Sequence, residues 1–438
     1  MNTTIKHIIA REIIDSRGYP TIETKVVVED STVGVFSVPS GASIGIYEAL
    51  ELRDGDTSRY DGKGVLTAVE NVNTIIAKSL EGKDASKQKE IDQILIELDG
   101  TNNKSKLGAN AILSVSFAVC RASAASQQRK LYNYINSLLI QTLNVEEGLS
   151  VSMPTPLFNV LNGGAHADNS LSIQEFIIVP KNVKTFKEQL RAGVEIDHHL
   201  KRILKERGAT TGVGDEGGFA PNLPNDEIAL DYMMDAVEVS GYTLGSEILF
   251  GLDIAASQYW EEDDKVYAIP NISQDKVLVD KPEKMGNFYI NLLQKYPIFY
   301  IEDPLAEDDW DGWKSFAKQL DFSTHLLVGD DLTATNPQRV EKAAQKGLIN
   351  GVIIKPNQIG TLTEVFAVIK ICKNYGLTKI ISHRSGETTD TFIADLAVAC
   401  NAQYIKDGAP IRGERVAKYN RLLEIEQQLY GSQQKRIE

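Results

Sequence analysis

IFYIE at residues 298–302 is a short apolar run that stops at an acid, and the chain then repeats the pattern. HLLVGD (325–330) stops at Asp330, GVIIK (351–355) at Lys355, KIISH (379–383) at His383 and, more weakly, QYIK (403–406) at Lys406. Upstream, LFGLD (249–253) ends in the same way at Asp253. From Glu302 onward the terminal residues follow at intervals of 28, 25, 28 and 23 residues, and most of the stretches between them read as amphipathic helices. Apolar runs alternating with helices predict parallel strands buried on both faces, joined as βαβ units. Such strands open at their C-terminal ends onto the loops where barrel enzymes keep their chemistry, so six strand ends predict one functional rim. Taken singly, Asp253 or Asp330 reads equally well as a helix cap.

The first part of the chain reads differently. TIETKVVVED (21–30) and STVGVFSV (31–38) alternate like strands around a polar turn. VLTAVENVNTIIAKSL (65–80), KEIDQILIELD (89–99) and NAILSVSFAVCRASAASQ (110–127) then place apolar residues at helical spacing. At 438 residues the chain exceeds what one hydrophobic core usually supports. The expectation is a small α+β domain over residues 1–140 and an α/β barrel over residues 141–438. The change falls near MPTP (153–156), whose prolines disfavour a continuing helix.

A formal net charge of −14 and a pI near 5.1 argue against a nucleic-acid partner, because phosphate affinity comes largely from Lys and Arg. An anionic ligand must then meet a local cluster of cations. Cys120, Cys372 and Cys400 lie far apart with no CxxC pair, which is neither a disulfide framework nor a zinc pattern. The N-terminal stretch has no apolar leader core and no apolar run approaches a membrane span, so the expectation is a cytoplasmic protein with no membrane partner.

Asp253, Glu302 and Asp330 offer an oxygen-only ligand set suited to a hard cation, and magnesium is the natural choice. Three crowded carboxylates without a cation would repel one another. Lys355 and Lys406 end strands of the same series. A lysine beside another cation has its ammonium disfavoured and can serve as a general base, although either could simply pair with an acid. Arg384 and Ser385, just past His383, supply a guanidinium fork and a hydroxyl suited to phosphate; Arg384 could equally pair with Glu387 or Asp390.

TGVGDEGGFAP (211–221) has G-x-G-x-x-G spacing, but it follows a basic helical stretch rather than a strand and puts Asp215 and Glu216 where a pyrophosphate would sit. A flexible acidic loop carrying Glu216 as a proton donor fits better. Two further Gly-rich stretches, VPSGASIGIYEAL (38–50) with Ser43 and NVLNGGAHADN (159–169) with His166, read as mobile covers or plain turns.

The chain resembles the enolase family. The likeness runs through DSRGYPTIET, VPSGASIGIYEALELRDGD, NVLNGGAHADN, SIQEF, VGDEGGFAP, IEDPLAEDDW, GDDLTATN, IIKPNQIGTLTE, SHRSGET, IKDGAP and AKYNRLLEIE, in that order and over nearly the whole chain. It implies a small N-terminal domain on an eight-stranded TIM-like barrel whose second strand is antiparallel to the rest. It implies a Mg²⁺-dependent lyase, phosphopyruvate hydratase, that interconverts 2-phosphoglycerate and phosphoenolpyruvate in glycolysis, with two Mg²⁺ per active site, as a homodimer or octamer. By the same resemblance Asp253, Glu302 and Asp330 would hold one Mg²⁺ and Ser43 would help hold the second. Lys355 would be the base, Glu216 the general acid with Glu175 beside it, and Lys406 a clamp on the substrate carboxylate. Arg384 and Ser385 would bind the phosphate, while His166, Gln174 and His383 complete the pocket.

Four positions depart from the family's usual residues: Tyr19 for Asn, Ile44 for Thr, Tyr404 for Gln and Asp407 for Thr. The competing readings are a relative acting on a phosphonate analogue, like carboxyphosphonoenolpyruvate synthase, and a non-catalytic surface-binding role. The latter commonly involves a C-terminal lysine, where this sequence ends in Glu438.

Overall fold

The computed structural model describes residues 2–41, 45–144, 149–273 and 276–434. Three antiparallel strands open the chain: β1 (Ile5–Ile14), β2 (Pro20–Val28) and β3 (Val33–Ser37). The alternation seen in TIETKVVV is real: Ile22, Thr24, Val26 and Val28 are buried and Lys25 is exposed. That face receives the helix Ala109–Ser126, and Thr24 Oγ1 meets Ser114 Oγ at 2.6 Å. A Cβ at Gly34 would stand 2.1 Å from the Ala118 carbonyl oxygen, so only glycine lets β3 lie this close to the helix. The same helix is long and apolar enough to cross a membrane, but 89% of that window is buried inside the protein, as befits a core helix. Strand β1 has no counterpart in the sequence reading.

Eight strands close into a barrel: β4 (Thr155–Asn162), β5 (Glu175–Val179) and β6 (Leu249–Asp253), then, beyond an outer hairpin sheet of β7 (Trp260–Glu261), β8 (Val266–Ser273) and β9 (Lys276–Asp280), β10 (Ile298–Glu302), β11 (Leu326–Gly329), β12 (Gly351–Ile354), β13 (Thr378–Ser382) and β14 (Tyr404–Lys406). All six runs read from the sequence are barrel strands. β5 runs antiparallel to both β4 and β6, whereas the remaining barrel pairs are parallel. NVLNGGAHADN begins inside β4, so its first part is strand rather than covering loop. Between strands, helices start at side-chain caps: the oxygens of Thr185, Asn225, Asn336 and Thr361 accept amides of the first turn.

The period of two along a strand sorts the barrel interior into levels. Leu157, Ile177, Val179, Tyr300, Leu326, Val328, Ile353, Ile380 and Tyr404 form its apolar plug. Two residues further along, on the same face, stand Asn159, Glu302, Asp330, Lys355, Ser382 and Lys406, and the reversed strand contributes Glu175 from its first position. The departure at Tyr404 thus belongs to the plug, where its ring lies 6.1 Å from Phe299. Tyr19 carries the Lys63 ammonium over its ring at 3.7 Å.

Candidate active site

Lys406 occupies the centre of the barrel mouth. Its Nζ donates to Asp253 Oδ2 at 2.7 Å and Glu302 Oε1 at 2.9 Å and lies 3.2 Å from Glu175 Oε1. Burial disfavours its charge, but these three acids outweigh that and hold the ammonium well above its usual range. Glu302 is fully buried; burial and the charge of Asp253 push its carboxyl well up, and the Tyr300 hydroxyl donates to Oε2.

Lys355 follows the last residue of β12 and donates to Asp330 Oδ2. The expected fall in its pKa is opposed by Asp330. Burial lowers it and Arg384 and Lys406 add to that, but the Asp330 charge outweighs them and keeps the ammonium above its ordinary range. Asp303, absent from the sequence reading, accepts the Asp330 amide at 3.1 Å and the Asp331 amide at 2.6 Å, so it fixes the loop that carries Asp330.

Across the mouth, Glu175 and Glu216 face each other over His166, whose Nδ1 is 3.8 Å from an oxygen of each. The segment carrying Glu216 is not a loose loop. The Phe219 amide donates to Val160 O at 2.8 Å, the Asn162 amide to Phe219 O at 2.8 Å, and Glu216 is buried. Gly408, at φ +72°, permits this approach, since a Cβ there would fall 2.4 Å from the Glu216 carbonyl oxygen. Asn159 Nδ2 donates to Glu216 Oε2 at 3.0 Å, and His383 Nε2 lies 3.5 Å from the same oxygen. Burial opposes ionisation of Glu216, but His166, His383, Arg415 and Lys406 hold it well below the carboxylate range. Glu175 moves the other way, driven up by burial and by Glu216 itself. The two carboxyls are thus pushed in opposite directions, as in a coupled pair of acids.

The Arg384 guanidinium meets Glu48 Oε2 at 2.7 Å and Asn357 Oδ1 at 3.1 Å, bridging the barrel to the N-terminal domain. Gln174 and Ser385 are buried on the same rim. Every site residue expected from the sequence lines one cavity, with two exceptions. Glu302 forms part of the layer beneath it, and Ser43, like Ile44, lies outside the described residues. Glu48, Asn159, Asp303 and Arg415 were not foreseen. Glu48 sat within a quoted motif, whereas Arg415, on the helix Gly413–Gln434, carried no local signal.

Asp253, Glu302 and Asp330 suit a hard cation: all three are buried, all offer oxygen, and two lysine ammonium groups offset their charge only in part. Asp330 also groups with Asp303 and Asp331, one oxygen of each lying within 4.8 Å of the others, as do donor atoms of His166, Glu175 and Glu216. Residues 5–135 match the model of the enolase N-terminal domain, and residues 150–435 that of the enolase C-terminal TIM barrel domain. The chain belongs to the enolase family. Membership brings metal-dependent lyase chemistry of the enolase superfamily to this site, and the oxygen-rich mouth, its charge offset by lysines only in part, is what such chemistry requires.

Proposed function

We propose that this enolase-family protein is the lyase that interconverts 2-phosphoglycerate and phosphoenolpyruvate, with two Mg²⁺ per site. The observation that carries the reading is the placement of two proton-transfer groups on opposite walls. Lys355 follows β12, Glu175 begins β5, and these strands stand four places apart in the eight-stranded ring. Lys355 takes the proton from the carbon bearing the phosphate ester. The C–H electron pair first passes into the substrate carboxylate to give an enolate, then returns to form the C=C bond as the C–O bond to the hydroxyl breaks on the far side, and the Glu175/Glu216 pair protonates the departing oxygen to give water. Glu216 would be the member that delivers the proton, replenished from Glu175.

Lys406 would hold the substrate carboxylate, Arg384 and Ser385 the phosphate, and His166, Gln174 and His383 the rest of the pocket. Asp253, Glu302 and Asp330 would hold one Mg²⁺, and Ser43 would contribute to the second. Bound Mg²⁺ would supply positive charge against the negative charge that accumulates on the substrate carboxylate. A cation held by Asp330 would weaken that carboxylate's hold on the Lys355 proton, which would leave Nζ better able to act as a base. The reading carries with it a small phosphorylated acid as partner, a homodimer or octamer, and a cytoplasmic setting in glycolysis. The test is the appearance of phosphoenolpyruvate absorbance when purified protein receives 2-phosphoglycerate and Mg²⁺. No absorbance with this substrate, but turnover of a phosphonate analogue, would move the assignment to the phosphonate relatives.

A further inference from the structure

Arg415 is fully buried on the C-terminal helix, and its guanidinium reaches four acceptors. Nη1 donates to His383 Nδ1 at 2.5 Å and to Arg384 O at 2.7 Å, and Nη2 donates to Ser385 O at 2.7 Å and Asp215 O at 3.0 Å. Guanidinium has only donors and does not lose its proton in proteins, so His383 Nδ1 must present a lone pair to it. The one proton of a neutral ring is then on Nε2, the atom that faces Glu216 Oε2 at 3.5 Å. Burial, with Arg415, Lys406 and Lys355, keeps the ring neutral against the pull of Glu216.

Asp407 stands on the other side of the same nitrogen, its Oδ1 3.9 Å from His383 Nδ1. It is fully buried, and among the described residues neither of its oxygens has a hydrogen-bond partner. The nearby Lys418 ammonium is taken by Glu387 Oε2 at 2.9 Å and by the Thr388 and Glu414 carbonyls. Burial pushes the Asp407 carboxyl well up from its ordinary range, against the pull of Lys418 and Arg415, so Arg415 is the hydrogen-bond partner that sets the role of His383 Nδ1.

We infer that Arg415 is a positioning residue that keeps the proton of His383 on Nε2, facing Glu216. Glu216 receives that proton's field only in this tautomer. The consequence for turnover rests on the reaction proposed above; the tautomer itself does not.

Nitrogen NMR of histidine-labelled protein reads the tautomer, with the His383 signals identified by their loss in His383→Gln. The expected wild-type form at neutral pH is the neutral Nε2–H ring; an Nδ1–H or doubly protonated ring overturns the inference. Arg415→Met removes the donor to Nδ1 and should admit an Nδ1–H or doubly protonated ring, lowering kcat on the order of 10- to 100-fold with KM within about twofold. Arg415→Lys retains a donor and should keep the Nε2–H ring and most of kcat. Retention of the Nε2–H ring in Arg415→Met also overturns the inference. Should that variant fail to fold, the wild-type and Arg415→Lys spectra still decide it. Failure of the wild-type protein to turn over 2-phosphoglycerate sinks the proposed reaction and leaves the tautomer result standing.

Discussion

Glu302 and Lys406 end strands on opposite sides of the closed barrel, yet their side chains meet at 2.9 Å. One ammonium thus spans the mouth and holds together carboxylates that would otherwise repel across it.

Removing that ammonium tests how far the site depends on positive charge. In metal-free Lys406→Met, Asp253, Glu302 and Glu175 lose their shared partner, and the cost should be on the order of 3–5 kcal/mol, as for breaking a buried ion pair. Mg²⁺ should then raise the melting temperature of the variant by more than it raises that of the wild type. Calorimetry with and without Mg²⁺ measures both increments, and equal increments would count against cation binding at these carboxylates.

Chelation should abolish turnover and added Mg²⁺ should restore it. Asp253→Asn, which removes a charge that Lys406 and the cation would share, should raise the Mg²⁺ concentration for half-maximal activity by roughly tenfold or more. A Mg²⁺ titration monitored by phosphoenolpyruvate absorbance gives the comparison. Full activity in excess chelator would remove the metal from the reaction.

Lys355 and Glu216 should separate by isotope exchange. In Lys355→Ala, both dehydration and exchange of the α-proton of 2-phosphoglycerate with deuterated solvent should vanish. In Glu216→Gln, dehydration should fall by orders of magnitude while exchange stays measurable, because the enolate still forms and Lys355 can return the proton. Proton NMR of the α-signal follows both; exchange surviving only in Lys355→Ala would reverse the two roles.

Asp197, on the helix Phe186–Glu206, is 1% exposed, and its Oδ1 has no hydrogen-bond partner among the described residues. Burial, only partly offset by Lys201, pushes its carboxyl up from 3.8 to about 7. Between those values the folded protein binds more protons than the unfolded chain, so this group's contribution to stability falls as pH rises from about 4 to 7 and then levels off. The loss should be roughly 4–5 kcal/mol, at about 1.4 kcal/mol per pKa unit. Asp197→Asn should lack that slope. Denaturant melts from pH 4 to 8, taken as the difference between variant and wild type, would refute the assignment if the two curves ran parallel.

Strands β6 and β10 to β14 were legible because burial on both faces demands an unbroken apolar run, which makes the charged residue at its end conspicuous. Strands β4 and β5 were not, since β4 carries Asn159 and Asn162 toward the mouth and runs into glycines, a composition that also suits a loop. The direction of β5 is invisible in EFIIV, because a buried strand reads alike either way; the family likeness supplied it. Reading His383 as one of six equivalent strand ends hid a difference in phase. It lies one residue past β13 and faces Glu216 and Arg415, whereas Ser382 occupies the inward position. The protonation of Lys355 escaped the sequence because it depends on Asp330, which only the folded barrel brings to it.

The reversed strand also dictates where this protein's selectivity can be rebuilt. In a barrel of uniformly parallel strands, the variable segments over the mouth are those that follow each strand. Here residues 163–174, which precede Glu175, take one of those places, and the residues after Val179 emerge at the opposite end. A diversification scheme copied from ordinary barrels would also randomise the residues after Val179, at the wrong end of the barrel, whereas 163–174, which follows β4 as well as preceding β5, carries the His166 and Gln174 wall and can be varied with the plug left intact.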